Sequence, residues 1–235
     1  MIRSIIETSL IDWDGKLTTV LFFDKCNFMC PFCQNWELLK HPEKFPVVEW
    51  SKIEKMLLSK RSWIDGVVLT GGEPLVNKKE VFDITSRIKR LGFLVKIDTN
   101  GAYPQVLCEL IEKSLVDYVA MDIKAPIDKR YANAVGTKID LMALEATISM
   151  LLSGQTEYEF RTTCVPRIID IRSIEEIGMR IKGAERWFLQ QYVPVNAYDE
   201  EYRKMSEVSK KDANTMLTIA RKYVADVRWR GKQPD

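Results

Sequence analysis

A regular alternation constrains this chain more than any other feature. Short runs rich in Val, Ile, Leu and Phe take turns with amphipathic stretches of helical period. "LTTVLFFD" (17–24), "GVVLT" (66–70), "FLVKID" (93–98), "VDYVAMDIK" (116–124), "EYEFRTTC" (157–164) and "RWFLQQY" (186–192) are six such runs. Most are near-continuously apolar, the pattern of strands covered on both faces. Between them, a Ser51/Glu54 capping box predicts a helix with Ile53, Met56 and Leu57 inward. Asn77 with Glu80 predicts another, whose Val81, Ile84, Ile88 and Leu91 share a face and which Gly92 ends. Pro104 opens a helix to about Ser114, and Asp140 to Leu152 form one ended by Gly154. A Ser173/Glu176 capping box opens the next, and a helix from about Glu207 to Val224 precedes a short strand "DVRWR". Strands and helices in this rhythm require right-handed crossovers and a parallel sheet. Six strands are too few for a closed eight-stranded barrel, so the expected fold is an open, partial (β/α)6 barrel, with a doubly wound sheet as rival. No linker divides the chain, which reads as one domain over 1–235, with a core of about 17–192 and a C-terminal helix and strand within 193–235.

A chain of 235 residues buries roughly 70–75% of its unfolded surface, so its five cysteines are not needed to hold it folded. The 35 basic and 33 acidic residues leave a net charge of +2, without the positive excess of a dedicated nucleic-acid binder. The opening "MIRSIIETSLIDWDG" resembles neither a secretory signal nor a transit peptide, and no stretch approaches the ~20 apolar residues of a membrane span. These features lead to the expectation of a cytoplasmic protein, in which clustered cysteines bind metal or react more often than they form disulfides.

Polar residues collect at the carboxyl ends of the strands. "DKC" follows the first, "TGGEP" the second, "DTNG" the third and "DIK" the fourth, and Arg161 lies near the end of the fifth. Each alone has an ordinary explanation: a glycine-permitted turn, or an ion pair such as Asp122 with Lys124 or Arg161 with Glu159. Five on one rim point to a ligand site, because that edge is where loops converge over the packed core of a parallel α/β fold.

Cys26, Cys30 and Cys33 occupy "CNFMCPFC". The residues by themselves admit a "CPFC" redox pair that leaves Cys26 unexplained, a Cys-three-His zinc site completed by His41, or an iron–sulfur cluster with one iron open to substrate.

Together with "TGGEP" at a strand end, "CNFMCPFC" resembles the radical S-adenosylmethionine superfamily, whose signature is C-x-x-x-C-x-aromatic-C, here with Phe32 as the aromatic residue. The resemblance spans about residues 17–192. It implies an enzyme in which Cys26, Cys30 and Cys33 hold one 4Fe-4S cluster per subunit. S-adenosylmethionine chelates the open iron and is cleaved reductively to a 5′-deoxyadenosyl radical. Cys108 and Cys164 form no second group and read as small buried residues. "DTNG", "MDIK" and "FRTTCVP" resemble the glycyl-radical-enzyme activases; the last, with "FLQQYVPVNAYD", is most similar to the activating proteins of anaerobic ribonucleoside-triphosphate reductase. By that likeness Gly71, Gly72 and Glu73 receive the methionine amino group, and Asp98, Thr99, Lys124 and Arg161 surround its carboxylate. Asp98 with Asp122 offers a place for a monovalent cation. The implied partners are a glycyl-radical enzyme as protein substrate and a low-potential electron donor such as flavodoxin or ferredoxin, with neither membrane nor nucleic acid. A pyruvate formate-lyase-type activase, a small-molecule radical enzyme and a non-enzymatic zinc protein remain open alternatives.

Overall fold

All six apolar runs form strands, and two more strands flank them in the computed structural model, which describes residues 1–231. In chain order they are β1 (Ile2–Ser9), β2 (Thr18–Phe23), β3 (Gly66–Gly71), β4 (Leu94–Thr99), β5 (Tyr118–Asp122), β6 (Glu157–Cys164), β7 (Arg186–Gln191) and β8 (Asp226–Arg230). The sheet keeps that order and does not close, so its edges are β1 and β8. β1 runs antiparallel to β2; the pairs β2·β3, β3·β4, β6·β7 and β7·β8 are parallel. β2 to β7 are the six strands of the expected open α/β arrangement. Contacts divide the chain into two compact units, one of Met1–Asn27, Asn35–Thr99 and Gln105–Val119, the other of Phe28–Gln34, Asn100–Pro104 and the chain from Ala120 onward.

The first unit carries β1 to β4 with α1 (Trp36–Lys40), α2 (Trp50–Ser59), α3 (Lys78–Arg90) and most of α4 (Pro104–Glu112). α3 begins as its sequence dictates: Asn77 accepts the Glu80 N–H at 3.3 Å and donates back to the Glu80 carboxylate at 3.1 Å. Val81, Ile84 and Ile88 are buried, whereas Leu91 is only half-buried. α2 departs from expectation, since it starts at Trp50 with Glu49 at its N-cap, leaving Ser51 inside the helix and its capping box unformed. Its inward stripe is Ile53 and Leu57, with Met56 half-buried. Trp13, Val20, Val68 and Tyr118 pack together, with Phe22 and Leu94 against them.

β1 was not legible as a strand. Its Ile5 and Ile6 are adjacent and charges interrupt its ends, so no two-residue alternation survives. The pairing with β2 shows why: its register shifts between Ile2 and Ser4 and again between Ile6 and Ser9, and each irregularity resets which side chains face inward.

The second unit carries β6 to β8 with α5 (Arg130–Val135), α6 (Leu141–Leu152), α7 (Ile171–Arg180), α8 (Glu200–Arg203) and α9 (Lys210–Ala220). Asp140 caps α6 by accepting the Met142 N–H at 2.9 Å. α7 starts earlier than its Ser173/Glu176 pattern suggests, because Asp170 accepts the Ser173 N–H at 2.7 Å and is itself the cap. Phe160, Trp187 and Leu189 are buried, and the Trp187 indole N–H donates to Thr162 Oγ1 at 3.1 Å. Among the described residues no helix is long and apolar enough to cross a membrane.

Candidate functional site

In the first unit, the end of β3 is fastened to the peptide that runs from β2 into Cys26. Gly71 has φ +103°, a region open to glycine at little cost, and a Cβ there would lie 2.6 Å from the Phe23 nitrogen. The Gly72 N–H donates to the Phe23 carbonyl at 2.8 Å and the Glu73 N–H to the Lys25 carbonyl at 2.6 Å. From just beyond the cysteine loop, Asn35 Nδ2 donates to the Gly71 carbonyl at 2.9 Å. Glu73 is buried, and its Oε1 accepts from the Leu75 N–H at 3.1 Å and from Thr99 Oγ1 at 2.9 Å. Two motifs distant in sequence, "TGGEP" and "DTNG", therefore meet through Glu73 and Thr99. A bound ammonium requires acceptors, so the use of these amides as donors inside the fold does not compete with it. Asp98 is also buried, with Lys96 Nζ 3.7 Å from its Oδ1.

In the second unit, "CPFC" forms a turn in which the Cys33 N–H donates to the Cys30 carbonyl at 3.0 Å. Three ties hold this loop: Met29 N–H to the Val135 carbonyl at 2.8 Å, Asp199 N–H to the Pro31 carbonyl at 2.9 Å, and Gln34 Nε2 to the Val193 carbonyl at 3.0 Å. Phe32 is buried, with its ring centroid 6.5 Å from that of Tyr202 and 6.0 Å from the Lys124 ammonium. Asp122 gathers the anticipated cations, accepting from Arg161 Nε at 2.8 Å and from Lys124 Nζ at 3.2 Å. The Tyr131 hydroxyl accepts the Lys124 N–H at 3.1 Å and fixes the backbone of that turn. Glu159 accepts from Arg230 Nη1 at 3.2 Å.

Burial works to raise the Asp122 pKa, but the guanidinium of Arg161 and the ammonium of Lys124 outweigh it and hold the carboxyl at about 2. A folded pKa below the ordinary value of 3.8 means that the carboxylate's contribution is complete above about pH 4 and is lost as pH falls toward 2. At 1.36 kcal/mol per unit the contribution is at most about 2.5 kcal/mol. Asp122→Asn is expected to remove that part of the acid lability, and urea midpoints measured between pH 5 and pH 3 check it.

None of the five cysteines is in a disulfide. Cys164 is fully buried, and burial pushes its thiol up to about 12, so it stays protonated. Cys108 corrects the expectation of a buried residue: it is half-buried on α4 with its Sγ 3.4 Å from Glu112 Oε1. His41 lies just past α1, its Nδ1 3.4 Å from Glu43 Oε1 and its ring edge-on to Trp36. Among the described residues no trio of His, Cys, Asp or Glu is gathered as around a single ion. Three thiols within "CNFMCPFC" are a donor set suited to an iron–sulfur cluster, in which each thiolate binds its own iron. Sequence reasoning missed Asn35, Tyr131 and Lys96. Asn35 had a signal in its place beside the loop, whereas Tyr131 lies in α5, which was not anticipated.

Residues 20–153, more than half of the chain, match the Radical SAM superfamily. The chain is 34% identical to a putative glycyl-radical enzyme activating enzyme of Methanocaldococcus jannaschii, over 97% of its own length and 94% of that protein. It is 26% identical to the pyruvate formate-lyase-activating enzyme of Clostridium pasteurianum over 85% of each. Its fold is similar to a domain of the pyruvate-formate lyase-activating enzyme from Bacteroides vulgatus, with a TM-score of 0.57, 17% identity, and coverage of 71% of this chain and 99% of that one. The chain belongs to the radical SAM superfamily and, within it, to the family of glycyl-radical-enzyme activating enzymes.

Proposed function

We propose that this protein installs a glycyl radical on a partner enzyme, with anaerobic ribonucleoside-triphosphate reductase as the first partner to test. The observation that carries the reading is the likeness to a putative glycyl-radical enzyme activating enzyme across 97% of this chain and 94% of that one. Cys26, Cys30 and Cys33 supply the thiolates for a 4Fe-4S cluster. When bound, that cluster delivers one electron that splits S-adenosylmethionine into methionine and a 5′-deoxyadenosyl radical. The chain's own residues bind and orient. Acceptor groups of Gly71, Gly72 and Glu73 take the methionine ammonium; Thr99, Lys124 and Arg161 serve its carboxylate, where charge-assisted hydrogen bonds are roughly twice as strong as neutral ones. Phe32 excludes water beside the loop. Asp98 and Asp122 add negative charge able to hold a monovalent cation. The adenosyl group, once cleaved, would take a hydrogen atom from a glycine α-carbon, and a low-potential flavodoxin or ferredoxin in the cytoplasm would supply the electron.

A pyruvate formate-lyase partner is the second reading, favoured by the 26% identity to a pyruvate formate-lyase-activating enzyme over 85% of each chain. Both are tested by mixing reduced, reconstituted protein, S-adenosylmethionine and each candidate partner anaerobically and recording electron paramagnetic resonance. The expected result is a doublet on one partner that vanishes when one partner glycine is replaced. A small metabolite that is itself altered while no partner acquires a radical overturns the proposal.

A further inference from the structure

Lys96 is fully buried, although it sits in the middle of β4. In the sheet register it stands opposite Val68, which stands opposite Val20, so its row on that face is otherwise apolar. Its ammonium donates to the Asp12 carbonyl at 2.5 Å, lies 5.3 Å from the Tyr118 ring centroid and is 3.7 Å from Asp98 Oδ1. Taking an ammonium out of water costs several kcal/mol, and a well-packed apolar side chain often serves such a position at least as well for stability. The hydrogen bond to the Asp12 carbonyl does not by itself call for a charge, because a neutral amide makes the same bond. What only a cation provides is compensation of the carboxylate two residues further along the same strand face.

We propose that Lys96 is the resident counter-ion of Asp98, a positioning residue that lets a carboxylate stand in a site built for another carboxylate. The inference rests on the proposed function together with the family likeness that sets Asp98 beside Thr99, Lys124 and Arg161 around the methionine carboxylate of S-adenosylmethionine. The Asp98 carboxylate repels that ligand group, and the Lys96 ammonium, 3.7 Å away, offsets the repulsion from within the core. The same charge lessens the site's need for an exchangeable monovalent cation.

The test uses full-length, cluster-reconstituted protein and S-adenosylmethionine binding by calorimetry, with turnover read separately. Lys96→Gln keeps a donor for the Asp12 carbonyl and loses the charge. It is expected to retain iron content and to weaken binding on the order of tenfold, as for a partly screened buried charge. Two responses separate a charge role from a tether. Adding Asp98→Asn to Lys96→Gln restores binding to the level of Asp98→Asn alone, and potassium chloride improves binding by Lys96→Gln more than by the parent. Lys96→Met, which carries neither donor nor charge, provides the same comparison if the amide variant folds poorly. If the parent binds S-adenosylmethionine and Lys96→Gln binds it equally well, or Asp98→Asn fails to restore the loss, Lys96 is only a tether and the inference is wrong. If the parent itself does not bind S-adenosylmethionine, the proposed function fails first.

Discussion

Serine at Cys26, Cys30 or Cys33 is expected to abolish both iron binding and S-adenosylmethionine cleavage, the largest effect of any single substitution in this chain. Ligand supply sets this outcome. Three thiolates leave one iron for the cofactor, and removal of any one leaves two, too few to retain a four-iron cluster against loss. Serine preserves size but not the soft, easily deprotonated donor that iron–sulfur ligation needs. The contrast variants make the test specific. Cys164→Ala should cost stability through a small cavity but leave iron content unchanged, because its thiol is buried and held protonated. Cys108→Ala and His41→Ala should leave both unchanged, since Cys108 contacts Glu112 on its own helix and His41 contacts Glu43 and Trp36. Iron and sulfide analysis after anaerobic reconstitution, with a 5′-deoxyadenosine assay, reads the outcome. Loss of metal in His41→Ala would return the assignment to a Cys-three-His site.

Much of this arrangement was written locally in the sequence. Strands covered on both faces must be apolar almost throughout, so "GVVLT" stood out, and "EYEFRTTC", although it carries three charges, forms β6 over Glu157–Cys164 as read. Helix stops were equally plain where a glycine takes a left-handed angle, as at Gly92 with φ +87° and Gly154 with φ +74°. Helix starts were less secure. Ser173 with Glu176 has the form of a capping box, but Asp170 stands three residues before Ser173 and accepts its N–H. Two overlapping cap patterns compete there, and the Asp170 carboxylate takes both the N–H and the hydroxyl of Ser173 at 2.7 Å, so Ser173 is capped rather than capping. Long-range pairing left no local mark at all. Glu159 reaches Arg230, 71 residues away, and Arg161 reaches Asp122, 39 residues away, and neither pairing has a sign in the sequence around it. Lys96 illustrates the same limit: in a strand with buried residues on both faces, the pattern "FLVKID" does not reveal that its lysine is buried too.

Gly72→Ala should cost about 3 kcal/mol and carry the iron content down with it. Gly72 has no positive φ, so the demand at this position is close approach alone. A Cβ would overlap the Lys25 carbonyl oxygen, lie 2.6 Å from the Lys25 carbonyl carbon and 2.9 Å from Leu39 Cδ2. The leucine methyl can rotate away, whereas the Lys25 peptide cannot without moving Cys26, the next residue. Relief therefore stretches the bonds from Gly72 to Phe23 and from Glu73 to Lys25, now 2.8 and 2.6 Å. Overpacking costs roughly 1–3 kcal/mol and each weakened backbone bond about 0.5–1.5 kcal/mol. For a chain of this length about 3 kcal/mol lowers the melting temperature by roughly 6–12 °C. Gly154→Ala is the control: its φ of +74° imposes strain of about 1 kcal/mol, but no atom lies within 4 Å of the added methyl. That variant should melt lower and still assemble its cluster. If Gly72→Ala lost stability while keeping full iron content and cleavage, the clamp on Lys25 would be a feature of folding alone, without influence on Cys26.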